Sequence, residues 1–445
     1  MGLFDDVRGA VENALEETAT PGAALGVRHD GADRVAGFGV TSTEDPLDVT
    51  PETLFQIGSI TKTVTGTVAM ILVERGELDL DAPVRRYLPK LELMDPEVAA
   101  RVTMRHLLTH TAGWVGDYFA DHGAGDDAVE RMVSDLARLP QLTPLGEMWS
   151  YNNAGFYLAG RVIEVLAGEP YERVVGSVLL EPLGLGHTFF FPEDVMTRRF
   201  AVGHHRAENG PPTVARPWAI GRAHNAAGGL ASTVNDLLRY ARFHLSDGEG
   251  ILTRASLDEM QRPHAPAAPN FGSVGITWAV DDASGVRFLH HGGGTNGQIS
   301  LLAIAPDSGT VLAVVTNHQR GGEVVKAALE VVVEALGGHE PEHIAVVLDP
   351  SEYVGTYRTP LQDVELSTTG DGLQLAIRNR GGFPTEDSPP APNPPPLPVA
   401  FSERDRLFVT DGPLKGSEAE FLRGPDGRIA WFRFGGRVMS PVASD

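Results

Sequence analysis

The stretch that decides the fold is FQIGSITKTVTGTVAMILVERGEL, residues 55–78. From Ser59 onward, Ile60, Val64, Val68, Ile71 and Leu72 recur at the spacing of one apolar helix face, with Gly58 just before them. This is the pattern of a core helix, and its mouth carries Ser59 followed three residues later by Lys62. Residues three apart share a helix face, so the two side chains can meet over the first turn. The free N–H groups of that turn would stabilise negative charge growing beside the serine.

The chain uses lysine sparingly. Its 36 basic residues include only Lys62, Lys90, Lys326 and Lys415, the rest being arginine. Lys62 therefore suggests a property that arginine lacks, an amine that gives up its proton when desolvated. A serine beside such an amine is a nucleophile with its base. The plainer reading makes Ser59 an N-cap and Lys62 a solvated residue of the first turn. Against it, this composition yields only about 0.2 chance Ser-x-x-Lys matches, and the one match opens the best-formed apolar helix; such a motif rests on its context.

At 445 residues the chain has room for a large catalytic domain and a smaller second one. The hydrophobic content of 42% fits a globular protein, and no apolar run approaches the roughly 18 residues of a membrane span. The start, MGLFDDVRGAVENALEET, has acids where a secretory signal carries bases, so a cytoplasmic location is expected. No cysteine is present, which removes disulfides, thiolate metal ligands and a sulfur nucleophile. The formal charge of −23 argues against nucleic acid or an anionic membrane as partner.

Phe4, Val7, Val11, Ala14 and Leu15 mark a first helix, and AALGVRHDGADRVAGFGV (23–40) reads as two strands about a DG turn. GITWAVDDASGVRFLHH (275–291) and ISLLAIAPDSGTVLAVVTN (299–317) add strand pairs, and EVVKAALEVVVEALGG (323–338) is a closing amphipathic helix. Helical patterns fill about residues 59–245. The expected fold is α/β, of the α+β kind: an antiparallel sheet built from both ends of one domain and flanked by helices, with a helical subdomain laid over it. Domain boundaries are expected at 1–338 and 350–445, with 339–349 as linker. The second unit, short alternating runs with GDG and PDG turns, reads as a small antiparallel β-barrel in which FPTEDSPPAPNPPPLPV (383–399) is an extended loop.

Two further motifs complete a site. In EMWSYNNAGFYLAGRVIEVLAG (147–168) a polar loop carrying Tyr151 and Asn153 runs into a helix. A tyrosine against a lysine ammonium has its phenolate favoured and could relay the serine proton, while Asn153 could hold both Lys62 and a substrate amide. In FLHHGGGTNGQISLLAIAP (288–306) three glycines end a strand and permit close approach of another backbone or a ligand.

The ordered set Ser59-x-x-Lys62, Tyr151-x-Asn153, His291-x-Gly293 resembles the serine beta-lactamase and penicillin-binding-protein superfamily. Within it the likeness is to the branch of class C beta-lactamases, S12 peptidases, D-aminopeptidases and family VIII carboxylesterases. VRRYLP, MRHLLTHTAGW (104–114) and AAGGLASTVNDLLRYARFHL (226–245) are similar to linking segments of that branch. YVGTYR (353–358) is similar to the start of lipocalin-like barrels appended to some members. The resemblance implies catalytic roles for Ser59, Lys62 and Tyr151 and substrate binding by Asn153, His291 and Gly293. It also implies an oxyanion hole from the N–H groups of Ser59 and Gly294, and no metal or cofactor. His291 rather than His290 heads the third motif because Gly297 then falls at the later glycine of the family pattern. A histidine there, in place of lysine, weakens the case for a penicillinase, since it is mostly neutral at pH 7.

The expected activity is hydrolysis, through an acyl-enzyme, of small esters or of amides and peptides, including those with D-residues. The alternatives are a peptide-cyclising acyl transferase, a beta-lactamase and a D-Ala-D-Ala carboxypeptidase. GGHEPEHIA (337–345) offers a remote fourth, since His339, Glu340 and His343 match the zinc pattern H-E-x-x-H. Pro341 inside that turn argues for a linker instead.

Overall fold

A computed structural model describes residues 2–206, 210–370 and 372–442. Helix α1 (Leu3–Thr18) leads into strands β1 (Gly22–His29) and β2 (Ala32–Gly39). The turn between them is Asp30–Gly31, both at positive φ, the two-residue hairpin that a DG pair favours. The remaining strands of this sheet come late in the chain: β3 (Ala265–Pro266), β4 (Ser273–Val274), β5 (Ala279–Asp281), β6 (Phe288–Thr295), β7 (Gln298–Ala305) and β8 (Thr310–Thr316). All neighbours are antiparallel, in the order β2-β1-β8-β7-β6-β5-β4-β3. The two ends of the domain thus zip together at β1 and β8, as the sequence predicts.

Side-chain alternation sorts the sheet into two faces. Leu25 and Val27 of β1, with Leu312 and Val314 of β8, pack under α1 and the C-terminal helix Gly321–Ala335 through Val7, Val11, Val324 and Val332. Ala24, Ala313 and Val315 point the other way, into the large core shared with the helical layer.

Helix α2 (Thr61–Glu74) runs through that core and departs from expectation. The sequence predicts one buried face; instead every residue from Thr61 to Leu72 is buried. The threonines between the apolar positions are satisfied internally. Thr65 Oγ1 donates to Ala226 O at 2.7 Å and lies 2.7 Å from the Tyr171 hydroxyl, and Thr67 Oγ1 lies 2.8 Å from that of Tyr240. Burying hydroxyls is tolerable only with such partners. Gly66 is where Thr277 presses in, since a Cβ there would stand 2.5 Å from the threonine methyl.

The C-terminal part is a closed antiparallel barrel. Its strands are β9 (Gly355–Arg358), β10 (Gln362–Thr369), β11 (Gly372–Asn379), β12 (Leu397–Glu403), β13 (Arg406–Val409), β14 (Glu418–Arg423), β15 (Ile429–Phe434) and β16 (Arg437–Pro441). Tyr357, Phe401, Phe421 and Phe432 fill its interior. Residues 383–396 of the proline-rich segment run outside the ladder, whereas Leu397, Pro398 and Val399, expected in the loop, already pair with β11 as the start of β12. Near its beginning the segment returns toward the main domain, where the Phe383 ring meets that of Phe119 edge-on at 5.0 Å. The barrel docks through polar contacts as well: Trp431 Nε1 donates to Leu142 O at 2.9 Å, and Arg433 Nη1 donates to Trp149 O at 2.6 Å. Among the described residues no helix is long and apolar enough to cross a membrane.

Candidate active site

Ser59 lies in a 3-10 turn, Gly58–Ile60, that runs directly into α2. Gly58 has φ +51, and a Cβ on it would stand 2.7 Å from Gly294 N, so only glycine lets the serine turn rest against β6. Gly293 is equally constrained, its would-be Cβ falling 2.0 Å from Ile57 O. β5 pairs with β6 only as far as His290, which leaves the rest of that edge open. Thr295 and Gln298 close a two-residue hairpin, and alternation from that bonded pair puts Gly294, opposite Ile299, in a non-bonded position. Its N–H therefore turns outward, toward the serine turn.

Lys62 is fully buried, and its Nζ touches three oxygens: Ser59 Oγ at 3.1 Å, Asn153 Oδ1 at 2.7 Å and Ala227 O at 2.7 Å. Burial, with help from the Arg437 charge, holds its pKa well below the usual lysine value, against the pull of Asp117. Two of the contacts are to atoms that can only accept. A neutral Nζ spends its two N–H bonds there and turns its lone pair on the Ser59 hydroxyl, the arrangement of a base with its nucleophile.

Asn153 opens helix α3 (Asn153–Ala167), whose N-cap Asn152 accepts from Gly155 N. The Asn153 amide is oriented from behind: its Nδ2 donates to Asp117 Oδ1 at 2.9 Å, which leaves Oδ1 for Lys62. Asp117, itself buried, is paired with Arg437 of the barrel, whose Nε donates to Oδ2 at 3.1 Å. Tyr151 hydrogen-bonds the Ser59 hydroxyl. Its ring stacks on His110 at 4.5 Å and carries the Arg437 guanidinium 4.7 Å from its centroid.

The phenolate expected at Tyr151 is not favoured. Burial raises its pKa above the ordinary value, outweighing the hydrogen bond with Ser59 and the Arg437 charge. The Lys62 Nζ lies over the ring face, 4.9 Å from its centroid. Tyr151 is a neutral phenol, able to pass a proton along but not to hold a charge.

His291 Nδ1 donates to Gly292 O at 2.6 Å. Burial and the nearby Lys62 push its pKa down to about 3, so the imidazole is neutral at pH 7. The residues read as a zinc pattern are not on a helix. The His339 N–H donates to Ser284 O, the His343 ring stacks on Phe408 at 4.8 Å, and no group of three or more metal-ligating side chains occurs among the described residues.

The three motifs converge on one cavity of about 470 Å³ that also takes in Phe119, His224 and Phe271, and from the barrel Leu361, Phe383 and Arg437. Sequence reasoning missed His110, Asp117, Ala227 and Arg437. His110 and Ala227 lie in stretches read as linking segments; the positive φ of His110 marks a special position that one sequence does not reveal. Asp117 and Arg437 stand 320 residues apart and carry no local signal.

The sequence profile of the Beta-lactamase family matches residues 7–336. Penicillin-binding protein 4 of Amycolatopsis lactamdurans is 35% identical over 331 residues, which cover 72% of this chain and 86% of that protein. Esterase EstB of Burkholderia gladioli is 27% identical over 327 residues, 63% of this chain and 81% of that one. Among solved structures, SurE superposes with a TM-score of 0.75 at 28% identity, covering 98% of this chain and 99% of its own, barrel included; it has also been solved with D-Leu.

Proposed function

Because the chain belongs to the beta-lactamase family of serine hydrolases, we propose that Ser59 attacks an ester or amide carbonyl and carries the acyl group to water or to an amine. The observation that carries this reading is the Lys62 Nζ, 3.1 Å from Ser59 Oγ with its other two partners both acceptors. Lys62 takes the serine proton. The neutral phenol of Tyr151, bonded to the same hydroxyl, returns a proton to the leaving group. The N–H groups of Ser59 and Gly294 receive the oxyanion, supported by the outward turn of Gly294. Asn153 and the His291–Gly293 edge hold the substrate.

For substrate class we infer peptide-like esters or amides with a D-residue next to the scissile carbonyl. Support comes from the full-length likeness to a protein solved with D-Leu. A neutral His291 gives no fixed charge for a carboxylate at the third motif, which argues against penicillins. The amine-acceptor reading is favoured by the apolar lining that Phe383 and Pro384 of the barrel add to the cavity, since an apolar wall holds fewer waters to compete for the acyl group.

A substrate panel tests both: nitrophenyl esters, D- and L-aminoacyl esters with and without added amine, a D-Ala-D-Ala peptide and a chromogenic cephalosporin. Ester turnover should exceed cephalosporin turnover by roughly 100-fold, about 2.7 kcal/mol in transition-state stabilisation. D-aminoacyl esters should outpace their L counterparts, and added amine should appear in the product. Equal rates on cephalosporin and ester would overturn the substrate reading. Turnover persisting in Ser59→Ala would overturn the mechanism.

A further inference from the structure

The barrel reaches the catalytic lysine through an unbroken chain of polar contacts. Phe434 ends β15 and Arg437 starts β16, with only Gly435 and Gly436 between them, both at positive φ, the backbone that glycine adopts without strain. Its tip is fixed to the catalytic loop, because Gly436 O accepts from Tyr151 N at 2.8 Å and Val438 N donates to Ser150 Oγ at 3.1 Å. A Cβ on Gly436 would sit 3.1 Å from the Trp149 indole, so the turn is also the close-fitting part of the interface. Arg437, at the base of the turn, donates from Nη1 to Gly435 O at 3.2 Å and from Nε and Nη2 to Asp117 at 3.1 and 3.4 Å. Asp117 then orients Asn153, and Asn153 accepts from Lys62.

We propose that Arg437 and Asp117 are a pair of positioning residues by which the barrel sets the proton equilibrium of Lys62. This rests on the reading of Lys62 as the base of Ser59. The groups that face Lys62 leave few others able to do it. Asn153, Phe156 and the Ala227 carbonyl are uncharged, the Tyr151 phenol is held neutral, and burial keeps both His110 and His291 unprotonated near neutral pH. The fixed charges of the cavity are thus the Asp117 carboxylate and the Arg437 guanidinium, which act on Lys62 in opposite directions. Without the guanidinium, a carboxylate one amide away from Nζ favours the ammonium form. Without the carboxylate, the guanidinium disfavours it, and Asn153 is free to turn its NH₂ toward Lys62.

The test is the pH dependence of acylation by a p-nitrophenyl ester in the full-length enzyme, read as the nitrophenol burst, with mass spectrometry to locate the adduct. The rate rises with pH as Lys62 loses its proton. Arg437→Gln should move that acidic limb to higher pH by about one unit, Asp117→Asn should move it to lower pH, and the double variant should return toward the parent. Arg437→Lys, which keeps the charge, should restore the limb. If Arg437→Gln fails to fold, Asp117→Asn and Arg437→Lys still decide. Limbs that stay put while rates fall, or that move the same way in both single variants, would overturn the proposal. No adduct at Ser59 in the parent would remove the mechanism and this inference together, whereas an adduct with unmoved limbs removes only the inference.

Discussion

Two ion-handling pairs build this site, and they are made in opposite ways. Ser59 and Lys62 are three residues apart, and a single turn entering α2 brings them to 3.1 Å. Asp117 and Arg437 are 320 residues apart and meet only because a separate barrel closes on the helical layer. The first pair needs only local helix geometry for its spacing. The second needs the sheet, the helices and the barrel all in place. On the proposed mechanism, reactivity is encoded locally and its adjustment globally, so a change at the first should abolish activity while a change at the second should retune it.

The most damaging substitution should be Ser59→Ala, with a loss of about 10⁴-fold or more and an unchanged melting profile. Lys62→Arg should come close to it, because the charge stays while the removable proton is lost. Near-normal acylation in that variant would reduce the lysine to a structural role and end the contrast between the pairs. Gly293→Ala comes next. Its Cβ would lie 2.0 Å from Ile57 O, so β6 must move off the serine turn and carry Gly294 N with it. Acylation should fall by about 10²–10³-fold, the usual consequence of losing one oxyanion donor, and a crystal structure of the variant would reveal the shift.

His291→Gln should have a milder effect. With its pKa down at about 3, His291 is neutral throughout pH 5–9 and contributes no limb to the rate profile there. The variant should keep the shape of the parent profile, and disappearance of a limb near pH 6.5 would mean that a protonated His291 takes part. Smallest of all is Trp431→Phe at the docked face of the barrel. It deletes one hydrogen bond, to Leu142 O, and should lower stability by about 1 kcal/mol in urea unfolding with little change in rate. A larger activity loss there would show that barrel docking as a whole, and not Arg437 in particular, governs the site.

Periodicity recovered much of the fold. The alternation in β1 and β8 and the DG turn after β1 are local patterns that the structure keeps. Helix α2 departs further from its local pattern. Apolar spacing predicts one buried face, yet the threonines are buried too and bond internally to Tyr171, Tyr240 and backbone carbonyls. Burial of a hydroxyl depends on a partner elsewhere in the chain, which no window of sequence contains. The Tyr151 phenolate fails for a related reason: the sequence predicts contact with Lys62, and the fold makes that contact with the ring face.

By itself the sequence determined which residues can do chemistry and which lie within one turn of each other: Ser59 and Lys62, Tyr151 and Asn153, the glycines after His291. Those are matters of covalent spacing and side-chain type. Only the tertiary structure decided the state of those groups. It buried Lys62 so that its proton is loosely held, turned Gly294 N toward the serine, and brought Arg437 across from the barrel to neutralise Asp117. A pKa and a field are sums over everything nearby in space, and what is nearby in space is fixed only when the whole chain has packed.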